Sequence, residues 1–408
     1  MVITPEKARF LVNMILRSVV IEGRGFNSAY RALVRRYGFS EREAERYYKF
    51  LYNIVVHYST LKFIAGYYGF KSNIQGIVEY LYKKSFTWRL VREDIEDVAR
   101  NFSKFTRISL LYSYPSWFVK DLSGKLPLTD LEAMLKSLNE KKRWLRVVTS
   151  KCTLKEAISC LEKTGLNVKP HEVFHEVLLL KNPFKKVGGN PCVLSGVVIP
   201  QDISSYIVGL IAQNTASGDF LDACCAPGLK LVQVLPSSRV KRAVAVDLSE
   251  KRIRVTVRIL SLLAGQADPR VIMLEGDSRR AIYSGKFDFA LLDSPCSNSG
   301  ALYDDPALKI HLSRRLIRKV QRIQYSLLSS VIKQSKLVLY ATCSVHPLEG
   351  EEVVEKLVKE HDVELVKVRY PCLESAYAGY TVSRSTYRIY PHRIQGQGFF
   401  VALIMPRR

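Results

Sequence analysis

The sequence predicts an α/β protein whose main domain is a doubly wound sheet. From residue 201 onwards, short apolar runs alternate with amphipathic helical segments, and repeated strand–helix units form sheets of this kind. Several runs end in an acid or a small-residue turn, as expected where strand ends meet at a ligand-binding edge. Before residue 140 the apolar residues follow a helical period instead, which predicts a separate helical domain.

Residues 1–140 contain two well-marked helix starts. Thr4 and Pro5 form a cap followed by proline at the first helical position, and Ser40 with Glu43 matches a capping box. The apolar residues behind each start recur on one face, which indicates a helical core rather than a binding face. The basic residues on the other side form either a binding surface or merely a solvated one.

Residues 141–200 predict a small α+β module, with strands over Trp144–Val148 and Val173–Leu180 and a helix over Leu154–Gly165. Residues 171–175 of this module also match the HExxH pattern of zinc peptidases. That pattern needs a helix, whereas this segment follows Pro170 and is rich in strand-forming residues. We therefore predict a chance match and no metal site.

The composition indicates an intracellular protein with a polyanionic partner. The formal net charge is +24, from 62 Lys+Arg against 38 Asp+Glu. An excess of this size favours nucleic acid, because neutralised phosphates release counterions, although a solubilising charge is the alternative. The 8 cysteines show no CxxC spacing, so we expect a reducing compartment without a disulfide framework or structural zinc. We predict neither a membrane-spanning helix nor a signal peptide.

The strand ends of the main domain predict a cofactor site. The first strand leads into Asp222-Ala-Cys-Cys-Ala-Pro-Gly228, a small-residue loop that lets a ligand approach the backbone closely. Asp247 ends the second strand, where an acid accepts a ribose hydroxyl in nucleotide-binding folds. Asp277 follows the third strand, where it would meet an adenine amino group. Each acid alone is more often a cap or a surface residue, but together they indicate a cofactor.

Two cysteines follow the next two strands. Asp293-Ser-Pro-Cys296 ends the fourth strand and Cys343 ends the fifth, and because these strands should be neighbours, both thiols should face one cleft. A thiol with an ordinary pKa of about 8.5 needs nearby positive charge to become a nucleophile at neutral pH. Lys230 is the candidate for that charge. The alternative is a pair of buried structural cysteines.

These motifs resemble those of the Sun/NSUN-type RNA cytosine-C5 methyltransferases. The similarity extends from about Tyr112 to the C-terminus, and its most specific part is Asp293-x-Pro-Cys296-Ser followed further along by Thr342-Cys-Ser344. The other matching motifs are Gln201-Asp202-x-Ser204-Ser205, Asp222-x-Cys-Cys-Ala-Pro-Gly228-x-Lys230, Asp247 with Arg252, Gly276-Asp277 and Gly398-Phe-Phe400.

The resemblance also implies three domains. Residues 1–140, with the Tyr112–Trp117 stretch that follows the helices, resemble the NusB-like RNA-binding extension of some ribosomal-RNA members. Residues 141–200 resemble the family's small RNA-recognition-like subdomain. Residues 201–408 resemble its Rossmann-like class I methyltransferase domain.

The resemblance implies methyl transfer from S-adenosylmethionine to carbon 5 of a cytosine in RNA, with ribosomal RNA favoured and transfer RNA next. In this family the attacking thiol lies in the Thr-Cys-Ser motif, so Cys343 would add to carbon 6 and make carbon 5 nucleophilic. Asp293 would hydrogen-bond the base near its ring nitrogen, and Cys296 would assist product release. The cofactor-binding residues implied are Asp222, Cys224, Cys225, Ala226, Pro227, Gly228, Lys230, Asp247, Arg252, Asp277 and Asp293.

The sequence departs from the family pattern at several positions. Leu229 replaces a glycine of the small-residue loop, Gly350 an asparagine that follows the Thr-Cys-Ser motif, and Val148 an asparagine of a strand. The tryptophan expected around Lys309 is absent. These changes concern RNA contacts and target choice more than the reaction.

Two other functions stay open at this point. One is a NusB-like RNA-binding or assembly factor with an inactive methylase domain, which the presence of both cysteines and the matching acids disfavours. The other is a DNA cytosine-C5 methyltransferase, which would use Cys296 as its nucleophile and would not need the Thr-Cys-Ser motif. We expect a cytoplasmic monomer.

Overall fold

The computed structural model describes residues 3–264 and 268–407. They form two compact units, the first made of Met1–Lys141 together with Leu302–Leu312 and the second of Lys142–Ala301 and Ser313–Arg408. Within the described ranges, every helix falls short of the length and apolarity that a bilayer-spanning segment requires.

The α-helices, in chain order, are α1 (Pro5–Leu16), α2 (Phe26–Tyr37), α3 (Glu41–Val56), α4 (Tyr58–Tyr67), α5 (Ile74–Lys83), α6 (Trp88–Arg100), α7 (Lys104–Tyr112), α8 (Ser116–Ser123), α9 (Leu128–Asn139), α10 (Leu154–Lys163), α11 (Pro191–Leu194), α12 (Ile203–Thr215), α13 (Leu229–Val234), α14 (Glu250–Ala264), α15 (Ala307–His311), α16 (Arg314–Lys333), α17 (Glu351–Glu360) and α18 (Pro391–Ile394). The strands are β1 (Trp144–Val147), β2 (Val168–Pro170), β3 (Val177–Leu180), β4 (Val198–Pro200), β5 (Gly218–Asp222), β6 (Val240–Asp247), β7 (Val271–Glu275), β8 (Phe289–Asp293), β9 (Val338–Thr342), β10 (Val363–Val366), β11 (Glu374–Ser375), β12 (Tyr387–Ile389) and β13 (Phe399–Pro406).

The first unit is helical, as the apolar spacing predicted. Thr4 caps α1 by accepting a hydrogen bond from the Lys7 amide, and Ser40 with Glu43 forms the expected capping box at α3. The apolar stripes of both helices are buried, which confirms that they are core.

An inserted segment, Leu302–Leu312, joins this unit from the middle of the main domain. Lys309 on α15 is buried, and burial holds its pKa well below the ordinary value for lysine. Its ammonium lies 3.9 Å from the centre of the Tyr114 ring. It donates hydrogen bonds to the Tyr112 carbonyl (2.6 Å), the Asn139 side chain (2.7 Å) and the Val56 carbonyl (3.2 Å). Nothing in the sequence indicated that this segment belongs with the N-terminal helices.

The module that opens the second unit is an antiparallel sheet in the order β2-β3-β1-β4. Its strand β3 is shorter than the predicted Val173–Leu180, because residues 171–175 form a turn in which the His171 ring accepts hydrogen bonds from the amides of Val173 and Phe174. The HExxH string therefore lies on a turn and not on a helix or strand.

One prediction about cysteine was wrong, because a disulfide joins Cys160 to Cys192. The two residues are 32 positions apart in the sequence, and the packing of α10 near α11 brings them together. Spacing along the chain gives no indication of such a pair, which depends on the tertiary fold.

The main sheet has the order β11-β12-β13-β9-β8-β5-β6-β7, with β10 paired to β13. Strands β5 to β9 are parallel to one another, and β13 runs antiparallel to β9. Alternate residues of β8 are buried in separate apolar clusters, Leu291 in one and Leu292 in the other. Burial on both faces explains the unbroken apolar run of this strand and confirms the predicted doubly wound sheet.

Candidate active site

Two cysteines meet beyond the carboxyl ends of β8 and β9. These strands are parallel neighbours, as predicted, with Asp293 opposite Ala341. The Sγ atoms of Cys296 and Cys343 are 2.9 Å apart. This hydrogen bond and burial hold the pKa of the Cys296 thiol well above its ordinary value. Both thiols therefore belong to one site, and Cys296 is held in its protonated form.

Asn298 contacts both sulfur atoms. Its side-chain oxygen accepts a hydrogen bond from the Cys343 thiol at 3.0 Å and a longer one from the Cys296 thiol at 3.8 Å. Its φ of +56° lies in the left-handed region, which asparagine tolerates better than most residues. The turn at Asn298 is thus what directs its amide towards the thiols.

The carboxylate of Glu349 ties the two cysteine loops together. The residue has no exposed surface. Ser297, which follows Cys296, donates to it from both its amide (2.7 Å) and its hydroxyl (2.5 Å). Ser344, which follows Cys343, donates from its hydroxyl at 2.7 Å. Burial raises the pKa of Glu349, while these hydrogen bonds act against the rise.

A buried ion pair supports the second loop. Arg388 and Glu351 are fully buried, and two guanidinium nitrogens donate to the carboxylate at 2.7 and 2.5 Å. The third nitrogen donates to the Ser344 carbonyl at 3.0 Å. Charge-assisted bonds of this bidentate kind are strong and directional, so they fix the backbone directly after Cys343.

Lys230 pairs with Asp293 rather than with a thiol. Its ammonium lies 2.5 Å from Asp293 Oδ2, and its side chain is only 11% exposed. The partner of the ammonium is thus the carboxylate at the end of β8, and a role for its charge beside the thiols stays a prediction. The pair holds the Asp293 carboxylate at the end of the strand that leads into Cys296.

The small-residue loop after β5 lines a pocket together with Asp293. Its lining comprises Ser205, Asp222, Cys224, Cys225, Ala226, Pro227, Leu229, Lys230, Leu291 and Asp293. Asp222 is 1% exposed, and its Oδ1 has no hydrogen-bond partner. Burial raises the pKa of Asp222 to about 7, and the Asp293 carboxylate adds to the rise. A buried, unpartnered carboxylate oxygen suits a ligand that brings a cationic amino group.

Asp247 and Arg252 hold this loop in shape. Asp247 accepts hydrogen bonds from the amides of Ala226 (3.2 Å) and Ser249 (3.1 Å), and Arg252 donates to the Ala226 carbonyl. Gly228 has a φ of +93°, and a Cβ there would lie 2.4 Å from the Thr256 side chain. The backbone thus requires glycine at 228, whereas position 229 accepts the leucine that replaces the family's glycine.

Asp277, another predicted cofactor residue, is already bonded to a neighbouring arginine through both carboxylate oxygens. Both of its oxygens accept hydrogen bonds from Arg279, at 2.6 to 3.0 Å, and this pairing lowers the pKa of Asp277. No group of His, Cys, Asp and Glu residues suited to a metal occurs in the ranges 3–264 and 268–407.

Sequence reasoning missed Asn298, Arg388 and the role of Glu349. Asn298 could have been found from its position between Cys296 and a glycine in a turn-forming string. Arg388 lies far along the chain from both cysteines and carries no local signal.

The sheet order, the loop after β5 and the small antiparallel module define a Rossmann-like methyltransferase fold with an added α+β domain. Two family models match the chain: 16S rRNA methyltransferase RsmB/F over residues 210–405, and the ferredoxin-like domain of RsmF/B-like methyltransferases over residues 114–186. Over these ranges the chain is similar to the RsmB/F methyltransferases.

Curated relatives show the same similarity. The human 28S rRNA (cytosine(4447)-C(5))-methyltransferase is 29% identical over 325 residues, covering 72% of this chain and 38% of the relative. Ribosomal RNA small subunit methyltransferase B of Citrobacter koseri is 28% identical over 314 residues, covering 75% and 69%. The chain thus spans about two fifths of the length of the human relative.

Solved structures show the same fold. The protein PH0851 matches with a TM-score of 0.79 and 21% identity, over 99% of both chains. NSun6 from Pyrococcus horikoshii matches with a TM-score of 0.63 and 17% identity, over 73% of this chain and 100% of that one.

Proposed function

We propose that this protein transfers a methyl group from S-adenosylmethionine to carbon 5 of a cytosine in RNA, through a covalent bond between Cys343 and the base. The observation that carries the proposal is the contact between the two thiols, 2.9 Å apart, beyond the end of a strand whose last residue, Asp293, is held by Lys230. A cysteine that only fills space in the core does not need a second thiol in contact with it.

The first step activates the base. Carbon 5 of cytosine is a poor nucleophile, and addition of a thiolate to carbon 6 changes that. Cys343 gives its proton to solvent water, its sulfur bonds to carbon 6, and the electron pair of the 5,6 double bond moves to carbon 5. Asp293, oriented by Lys230 at 2.5 Å, hydrogen-bonds the base near its ring nitrogen and stabilises the adduct.

The second step restores the base. Carbon 5 takes the methyl group as the methyl–sulfur bond of the donor breaks, which would leave S-adenosylhomocysteine, and a base then removes the proton from carbon 5. The electron pair of that C–H bond re-forms the double bond, and the bond between carbon 6 and the Cys343 sulfur breaks. Cys296 assists this release, because its thiol lies against the Cys343 sulfur and its proton is available to the departing thiolate.

The loop after β5 is proposed to hold the cofactor. When bound, S-adenosylmethionine supplies an electrophilic methyl group. The unpartnered Asp222 oxygen suits its amino group, and the loop kept in shape by Asp247 and Arg252 suits the remainder. We propose Cys224, Cys225, Ala226, Pro227 and Gly228 as its backbone contacts, and we keep Asp277 as a candidate that must first leave Arg279.

The net charge of +24 supports RNA as the partner. The similarity to ribosomal-RNA methyltransferases favours ribosomal RNA over transfer RNA. A monomeric state and a cytoplasmic location stay predictions.

Substitution of each cysteine tests the proposed roles. Cys296→Ala should form a covalent protein–RNA adduct that accumulates, because addition proceeds and release does not. Cys343→Ala should form no adduct and transfer no methyl group. The measurement is denaturing electrophoresis of protein incubated with unmodified RNA transcripts and S-adenosylmethionine, followed by bisulfite sequencing. The opposite pattern would contradict the assignment and favour a nucleophile at Cys296, as in DNA cytosine methyltransferases.

Calorimetry with S-adenosylmethionine separates the proposal from an assembly factor with an inactive methylase domain. The proposal predicts binding that Asp222→Ala abolishes. An absence of binding in the unaltered protein would favour the assembly factor.

A further inference from the structure

The helix α16 has an unusually basic exposed face. Its 20 residues include no Asp or Glu. Arg314, Arg315, Arg318, Lys319 and Arg322 are all exposed, and at 100° per residue they lie on one side of the helix. The opposite side is buried and includes Ile317, Gln324, Leu327 and Leu328.

Several basic residues on other helices are paired with acids one turn away. Examples are Arg89–Glu93 and Arg92–Glu96 on α6, Arg254–Glu250 on α14 and Lys359–Glu355 on α17. On α16 the residues one turn apart repel instead, as in Arg315–Lys319 and Arg318–Arg322. Across residues 3–264 and 268–407, none of Arg315, Arg318, Lys319 and Arg322 forms an ion pair.

This arrangement lowers helix stability. Each like-charge pair at this spacing costs about 0.2–0.5 kcal/mol. Positive charge in the first turn also opposes the helix dipole, and α16 has no acid there to offset it. A solvated surface would reach the same solubility with mixed charges, as α6 does. The cost indicates a partner that supplies the missing negative charge.

We propose that Arg315, Arg318, Lys319 and Arg322, here called the α16 basic face, bind the phosphate backbone of the RNA substrate. This inference rests on the proposed function for its partner. The face extends over about 10 Å of helix, enough to contact successive phosphates. No large apolar side chain of α16 is exposed, whereas a helix that lies in a membrane surface presents such side chains to the lipid.

The same helix is bonded to the catalytic loops. Gln324 donates to the Pro295 carbonyl at 3.0 Å, next to Cys296, and to Glu349 at 3.2 Å. Gln324 and Arg318 are about 9 Å apart along the helix axis. Because one rigid helix carries both contacts, RNA on the α16 basic face is held at a fixed position relative to the thiols. The face should therefore hold backbone that flanks the target, without reading its sequence.

A charge-matched pair of variants tests this inference. The first changes Arg315, Arg318, Lys319 and Arg322 to glutamine. The control changes Arg242, Arg254, Lys336 and Lys359 to glutamine, which removes the same charge from exposed, paired positions. Binding of a fluorescent, unmodified RNA hairpin is measured by anisotropy between about 50 and about 300 mM salt, without cofactor.

For the α16 variant, the slope of log K against log salt concentration should become shallower by about 0.7–0.9 per lost phosphate contact, or by about 3 for four contacts. We expect its Kd to rise at least about tenfold near 150 mM salt, with calorimetric binding of S-adenosylmethionine retained. The control should keep the unaltered slope and affinity.

Equal slopes for the two variants would overturn the inference and make the face a solvated one. Loss of binding to phosphatidylserine vesicles with an unchanged RNA slope would overturn it in favour of a membrane surface. The measurement does not depend on catalysis. If the unaltered protein binds RNA and transfers no methyl group, the proposed function fails while the binding result still decides the role of α16.

Discussion

Replacing Glu349 should separate the two cysteine loops without altering either thiol. Its carboxylate accepts hydrogen bonds from Ser297, Ser344 and Gln324, so one buried side chain connects the residues that follow Cys296 and Cys343. In Glu349→Ala both loops lose this common acceptor. The Sγ–Sγ distance of 2.9 Å is then no longer imposed by the surrounding protein.

The size of the effect follows from the donors that are left behind. The serine hydroxyls can rotate, and Gln324 keeps the Pro295 carbonyl as a partner, whereas the Ser297 amide is fixed. An unsatisfied buried amide costs about 1–3 kcal/mol, and the space left by the side chain adds about 2 kcal/mol. We expect the free energy of unfolding to fall by about 3–5 kcal/mol, and by about half as much in Glu349→Gln, which retains the volume and one acceptor.

The assay combines urea unfolding with oxidation of the thiol pair by diamide. Oxidation joins Cys296 to Cys343 with loss of two protons and two electrons to the diamide, and peptide mapping separates this disulfide from those of other cysteines. Cross-linking should be slower in Glu349→Ala. Methyl transfer should fall by about 100-fold, the typical effect of a displacement near 1 Å.

A control substitution is available on the neighbouring helix. Glu355 accepts two hydrogen bonds from Thr381 and contacts neither cysteine loop. Glu355→Ala should lower stability with no change in the rate of cross-linking. If Glu349→Ala cross-links as fast as the unaltered protein while losing stability, Glu349 contributes to folding alone and the positioning role is refuted.

Three further predictions concern the residues around this site. Asn298→Gly keeps the left-handed turn and removes the oxygen that accepts a hydrogen bond from the Cys343 thiol, so iodoacetamide should alkylate Cys343 faster at pH 7. An unchanged rate would contradict the role of Asn298 in holding that thiol. The pKa of Asp222 is about 7 in the folded protein, above its unfolded value, so its contribution to stability is complete below about pH 4 and is lost as the pH rises through 7. Between pH 5 and pH 8, the unfolding free energy of ligand-free Asp222→Asn should therefore fall less than that of the unaltered protein. Arg388→Met leaves the Glu351 charge buried and unpaired, and it should lower the free energy of unfolding in urea by about 3–5 kcal/mol. The double variant with Glu351→Leu should recover most of that loss. If it does not, the broken ion pair is not the source of the loss.

The sequence was sufficient to predict the sheet and the meeting of the thiols, because both follow from local patterns. Apolar runs such as Phe287–Leu292 mark buried strands, and parallel strands bring their carboxyl ends to one edge. Cys296 and Cys343 therefore had to approach each other once β8 and β9 were neighbours.

The remaining features depend on contacts between distant parts of the chain. The partner of Lys230 was not predictable, because both thiols and carboxylates follow strand ends in the sequence. Arg388 reaches Glu351 from β12, and Cys160 reaches Cys192 from another helix. Each of these pairs is decided by tertiary packing, and no spacing along the chain encodes it.

The inserted segment Leu302–Leu312 has a consequence for the order of folding during synthesis. The helices of Met1–Lys141 leave the ribosome early, yet the unit that they form includes Lys309 and its hydrogen bonds to Tyr112 and Asn139. At about 5–20 residues per second, some 170 further residues require about 10–30 s. Throughout that interval the nascent N-terminal helices have an open position where Lys309 belongs. The first unit therefore cannot be completed until synthesis has passed Lys309 and is approaching β9, the strand that leads into Cys343.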